Sequence, residues 1–229
     1  MIPPRPRKKT ESAYPASSNV RPGKGFIELM PPGRMFHSRR LVLRRLNQRD
    51  VSELMLALKK NQLWLAAYLP AWPGELTKAD LSRVIRREHV EARSASRLDL
   101  GVFSEKESSL IGRASLLQVR LGVQLSAGIG YWIDEAMAGQ GLGKEAVATL
   151  VSFAFEEAGL HRIWASVCLD NSRSMKLLET LGFKSEGIHR KELFIAGRWQ
   201  DMCQYSILRE EYDLVADTWI KNGWLGWAP

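Results

Sequence analysis

Residues 133–159 read IDEAMAGQGLGKEAVATLVSFAFEEAG. The end of an apolar strand passes through Gly139, Gly141 and Gly143 and straight into a helical pattern. Val147, Leu150, Val151, Ala154 and Ala158 share one face of that helix, and Gly159 stops it. A strand that turns through glycines into a helix sets a β-α order and builds an anion site. The first amides of the helix have no intrahelical acceptor, and the helix dipole adds positive character there. Glycine lets the backbone approach a ligand closely and adopt positive φ. A phosphorylated molecule is therefore expected at residues 139–144.

Three phosphate-loop patterns compete for this stretch. A Walker-type loop needs Ser or Thr after Gly-Lys, and Glu145 follows Lys144. A dinucleotide fingerprint counted from Gly139 ends on Lys144 instead of glycine. The third pattern, Q/R-x-x-G-x-G/A, is the pyrophosphate loop of acetyl-CoA-dependent N-acetyltransferases. Gly141 and Gly143 fit it, but Ala138 stands at the leading Gln/Arg position. An ordinary glycine-rich turn remains open on the loop alone.

Further motifs follow in order. After the strand-like run HRIWASV (161–167) comes NSRSMKLLETLGF (171–183) and then EGIHRKELFIAGRWQD (186–201). Upstream lie NQLWLAAYLPAW (61–72), GVFSEKESSLIG (101–112) and IGYWI (129–133). Together these resemble the GNAT acetyltransferase superfamily, in its ribosomal-protein N-terminal (alanine/serine) acetyltransferase branch, over roughly residues 38–209. The resemblance implies an α+β GNAT fold: a mixed, mostly antiparallel twisted sheet, helices on both faces and a central β-α-β acetyl-CoA unit.

It also implies roles. Acetyl-CoA would be the co-substrate, without a metal. Its pyrophosphate would meet Gly139, Gln140, Gly141, Leu142, Gly143 and Lys144. Its pantetheine arm would pair with the strand Ile129, Tyr131, Trp132 and Ile133, whose side chains are otherwise core. Asn171 would bind near the pantetheine, and Ser174 would protonate the leaving thiolate, although both residue types are also good helix caps. Relatives that use a tyrosine four residues beyond Ser174 have no counterpart here, because that position is Leu178. Trp64, Tyr68, Trp72 and Phe194, with Trp199, would frame the acceptor entrance, or simply pack. Asp134, Glu135, Glu186 and Glu192 are candidate bases whose ordinary reading is surface charge. An α-amine with a pKa of about 7.7–8.0 is already partly neutral at pH 7, so a strong base is less needed than for lysine.

The 229 residues allow one domain of 38–210 with tails. The first 45 residues hold 11 Lys and Arg against Glu11 and Glu28, so the net charge of +8 originates there. Residues 1–37, rich in Pro, read as a basic arm, loosely attached, that could contact RNA or a ribosomal surface or merely be solvated. Residues 211–229 read as a Trp-rich extension carrying Trp219, Trp224 and Trp227. No apolar run is long enough for a membrane span, and a cytoplasmic location is expected. Cys168 and Cys203 are expected to be reduced, and Cys168 is a poor candidate nucleophile; the four His residues are scattered and suggest no metal site.

The coarse element pattern starts with a strand at 41–46 and a helix capped by Asn47 or Asp50. A Pro-broken loop at 61–74 and a helix from Thr77 to about Ala95 come next. Strands then fall near 98–103, 110–117 and 127–133. The expected activity is acetylation of a protein's N-terminal α-amine, by a monomer or homodimer. The alternatives are a small amine acceptor (antibiotic, polyamine or amino acid), a non-catalytic CoA- or RNA-binding protein, and a ribosome-assembly factor.

Overall fold

The computed structural model describes residues 25–31, 33–70 and 75–225. Eight strands make one sheet: β1 (Met35–His37), β2 (Leu41–Arg44), β3 (Leu98–Ser104), β4 (Leu110–Arg120), β5 (Ser126–Ile133), β6 (Arg162–Cys168), β7 (Lys184–Ile195) and β8 (Arg198–Leu208). Their order across the sheet is β1-β2-β3-β4-β5-β6-β8-β7. Every neighbouring pair is antiparallel except β5 and β6. Parallel neighbours need a crossover, and it is supplied by the helix α5 (Leu142–Glu156). The other helices are α1 (Gly25–Leu29), α2 (Val51–Lys60), α3 (Gln62–Ala66), α4 (Lys78–Arg93), α6 (Ser172–Thr180) and α7 (Arg209–Lys221).

Strand alternation assigns the faces. Leu41 and Leu43 of β2 join the main core with α5's Val147, Leu150, Val151 and Ala154, while Val42 turns to a second cluster built on α2 and α4. Helices therefore cover both faces of the sheet, as the α+β reading requires. Asn47 and Asp50 cap each other's turn ahead of α2, and Thr77 and Asp80 do the same for α4.

Three sequence expectations are corrected. The strand at 41–46 is second, because Met35–His37 pairs outside it. The stretch 61–70 contains the helical turn of α3 before any break. Part of the supposed loose arm is tied down: Phe26 and Met30, spaced i and i+4, are fully buried in the main core. In the C-terminal extension, α7 begins at Arg209 and Trp219 is buried against Tyr212, with ring centroids 5.3 Å apart. Residues 1–24 of the arm, Trp72 and Trp227 lie outside the described residues. No helix among the described residues is long and apolar enough to cross a membrane.

Candidate functional site

β5 ends at Ile133, and Asp134 then closes a short 3-10 turn by accepting from the Ala136 amide. Burial alone would raise the Asp134 carboxyl's pKa, but Lys60, 2.7 Å away, and the Ala136 amide hold it below the usual range. The chain then passes Gly139 (φ 80°) and Gly141 (φ 82°), left-handed conformations that cost an L-residue about 1–2 kcal/mol. Gly141 is the N-cap of α5 and offers no side-chain acceptor, so the helix's first amides stay open to a ligand. At Gly143 an added Cβ would fall 2.9 Å from Leu177 Cδ1 of α6 and 3.9 Å from Ile133 Cγ1. Glycine there lets α5 pack closely on α6 beside the loop.

Behind the loop stands a buried carboxylate. Glu145, fully buried, accepts from the Ser38 hydroxyl (2.7 Å), the Arg40 amide (2.6 Å) and the Arg40 guanidinium (2.8 Å). Arg40 also donates to the Gln140 carbonyl at 2.9 Å. The β1–β2 turn thus clamps the loop, and a guanidinium reaches it although Ala138 cannot supply one. Glu145→Ala is expected to destabilise the protein by about 2–3 kcal/mol, because buried donors lose their acceptor. Urea denaturation measures this, and a loss under about 0.5 kcal/mol would mean the clamp is dispensable.

The second component is a split in the sheet. β5 and β6 pair only at Ser126–Arg162, Ala127–Ile163 and Gly128–Trp164. From Ile129 to Ile133, β5 stays bonded to β4 but no longer to β6, so one backbone edge is free to pair with a ligand. Ile129, Tyr131 and Ile133 point toward the α5 face, and Trp132 packs with the α2–α4 cluster.

At the mouth of the split, Tyr131 Oη lies 2.6 Å from Ser174 Oγ. Burial, opposed by the Ser174 hydrogen bond, pushes the tyrosine pKa up to about 12. Asn171 Oδ1 accepts from the Ser174 amide and caps α6, so capping does not occupy the Ser174 hydroxyl. Leu178 is the fully buried residue of α6 and faces the core.

The opposite face carries a polar groove of about 460 Å³, lined by Gln118, Arg120, Arg162, Trp164, Glu186, His189, Glu192 and Gln204. Gly128 and Gly130 leave β5 without side chains on this side, and Trp164 lies against Gly128. Glu192 Oε2 accepts from Gln204 (2.6 Å), its Oε1 is 3.2 Å from His189 Nδ1, and Gln204 in turn bonds Ser166. Glu186 is engaged by Arg162 and Ser206, and the Arg162 hydrogen bond holds its carboxyl below the usual range. Glu135 is exposed beside the loop.

The aromatic residues divide. Trp64 meets Tyr68 edge-on at 6.1 Å and lies under Arg173, next to Ser174. Tyr68 packs on Cys168, Ile195 and Met202. Phe194 pairs with Trp199 on the exposed β7–β8 hairpin. Cys168 is free and buried, and burial raises its thiol pKa, which disfavours the thiolate a nucleophile needs. No group among the described residues is arranged to hold a metal.

Arg40, Ser38, Glu145 and the Tyr131 side chain stand in no motif that marks them as site components. Only Tyr131 carried a local signal, through its alternation with Ile129 and Ile133.

Comparisons with known proteins agree with this geometry. The family description "Acetyltransferase (GNAT) domain" matches residues 40–184. A Bacillus subtilis protein named "Probable N-acetyltransferase YjcK" is 43% identical over 111 residues, 48% of this chain and 61% of that protein. The Escherichia coli ribosomal protein uS5–alanine N-acetyltransferase is 29% identical over 172 residues, 71% of this chain and 84% of that protein. The structure of Mycobacterium smegmatis RimJ with CoA-disulfide superposes with a TM-score of 0.78 at 24% identity, covering 85% of this chain and 97% of that one, a likeness of fold.

Proposed function

The chain belongs to the GNAT acetyltransferase family, and on that premise we propose that this acetyl-CoA-dependent N-acetyltransferase modifies the N-terminal α-amine of a protein, a ribosomal protein being the first candidate. The observation that carries this reading is the free edge of β5, from Ile129 to Ile133, set between an open helix N-terminus and a half-buried hydroxyl pair. The α5 amides suit the pyrophosphate of acetyl-CoA, and the β5 edge suits the amides of its pantetheine arm, so the residues present fit the co-substrate. An amide of that edge would serve the thioester oxygen as charge develops on it.

The acceptor amine approaches from the groove, where Trp164 lies against Gly128 and Leu117 against Gly130. Glu192, oriented by Gln204 and His189, takes the amine proton; Glu186 and Asp134 are held in ion pairs and are poorly placed to do so. On the far side Ser174, backed by Tyr131, gives a proton to the departing sulfur. No side chain needs to carry the acetyl group.

A protein terminus is favoured over a polyamine by the groove's charge balance. Glu186 is matched by Arg162, and Arg120 on the lining offsets Glu192. A polycation gains little there. The homologue from Escherichia coli acts on a ribosomal protein, and the neighbour RimJ was crystallised with CoA-disulfide.

Acetyl-CoA at about a hundredfold excess over its Kd is expected to raise Tm by about 5–10 °C, with no comparable effect from ATP. A shift by ATP and not by acetyl-CoA would sink the reading. Glu192→Gln is expected to lower kcat several-fold at pH 7, and the deficit should shrink as pH rises past about 8, where the α-amine is deprotonated without help. A deficit independent of pH would remove Glu192 as the base.

A further inference from the structure

Beyond the family-matched residues 40–184, the C-terminal turn reaches the mouth of the phosphate loop. Helix α7 ends at Lys221 in a paired closure: the Trp224 amide bonds the Trp219 carbonyl (2.9 Å) and the Gly223 amide bonds the Ile220 carbonyl (2.9 Å). Gly223 sits at φ 70°, and an added Cβ would meet Arg39 Cδ at 3.2 Å, so glycine is needed for the turn. This closure lays Trp224 against the main core, half-buried, and under the Lys144 ammonium, with Nζ 5.0 Å from the ring centroid. Lys144 is the third residue of α5, and side chains in a first helical turn lean toward the N-terminus, here toward Gly141 and its open amides. Among the described residues Lys144 pairs with no carboxylate, while Arg40 is committed to Glu145.

We propose that Gly223 and Trp224 belong to the donor site: the indole face holds the Lys144 ammonium beside the loop, where it binds a phosphate of the acetyl donor. This rests on the acetyl-CoA reading above. Trp224 is a positioning residue, and Lys144 is the contact. The indole supplies a cation's partner without neutralising it, so the ammonium keeps its full charge for the ligand, which a carboxylate in the same place would cancel. It also removes lysine rotamer freedom before binding, a cost otherwise met when the ligand arrives.

The test measures acetyl-CoA Kd by calorimetry for the full chain and its Lys144→Met, Trp224→Ala, Trp224→Phe and Lys144→Met/Trp224→Ala variants. Kd is expected to rise about tenfold for Lys144→Met, about three- to fivefold for Trp224→Ala, and less than about twofold for Trp224→Phe. The double variant should be no weaker than Lys144→Met alone, because both changes remove one interaction. The KM for acetyl-CoA divided by that for S-acetylpantetheine, which lacks the phosphates, should rise in the same order. Additive effects, or an unchanged ratio, would overturn the proposal and leave Trp224 a packing residue. Should Trp224→Ala fail to fold, Trp224→Leu, which keeps apolar bulk without a ring face, replaces it: a rise in Kd of about three- to fivefold is expected, and an unchanged Kd and ratio would overturn the proposal. Wild-type protein that does not bind acetyl-CoA would instead refute the family-based activity.

Discussion

Gly143→Glu is expected to weaken acetyl-CoA binding at least about a hundredfold, equivalent to about 2.7 kcal/mol. Three effects act together. The new Cβ falls 2.9 Å from Leu177 Cδ1, so the side chain is driven into the packing between α5 and α6 beside the loop. The carboxylate repels the phosphates the loop is built to receive, and it occupies the helix's open amides itself. The fold should survive, because the near atom is the end of a flexible leucine, and such overpacking costs about 1–3 kcal/mol. Calorimetry gives the affinity, and an unliganded melt confirms the fold. A folded variant with normal affinity would refute the placement of the phosphates.

Ser174→Ala is expected to lower kcat by about a hundredfold while leaving acetyl-CoA Kd within about twofold. The helix does not need this hydroxyl, since Asn171 caps α6 through the Ser174 amide. What the change removes is the group 2.6 Å from Tyr131 Oη. With its pKa pushed up to about 12, the tyrosine stays protonated at assay pH. Handing a proton to a thiolate of pKa about 8.5 would be uphill as an isolated step, so the transfer must accompany departure of the sulfur. Tyr131→Phe should therefore lower kcat as well, with the double variant much less affected than the product of the two. An unchanged kcat in Ser174→Ala would return this residue to a structural role.

The most legible part of the fold was where local pattern and local geometry coincide. Glycines at 139, 141 and 143 announce a strand-to-helix turn because positive φ and an open helix start need them. Asn171 announces a cap for the same kind of reason. The β1 strand was invisible because three residues show no period, and α3 was hidden by the aromatic residues around a single helical turn. The site's cross-connections were out of reach in principle. Arg40 and Glu145 are 105 positions apart, and nothing in either neighbourhood marks an ion pair. Tyr131 and Ser174 meet across 43 positions, although β5's alternation did place the tyrosine on the α5 face. Phe194 and Trp199 meet across the turn of the β7–β8 hairpin, a contact that their spacing of five positions does not mark. The part proposed for the tail depends on Gly223 and Trp224, which meet Arg39 and Lys144 respectively only in the fold.

The most direct measurement is thiol release from acetyl-CoA with three acceptor sets: ribosomal-protein N-terminal peptides beginning with Ser, Ala or Thr, the same peptides with a blocked α-amine, and polyamines. Mass spectrometry then locates the acetyl group. The account predicts release with the free peptides alone and an acetyl group on the α-nitrogen. Turnover of polyamines, with the free peptides left unmodified, would contradict it.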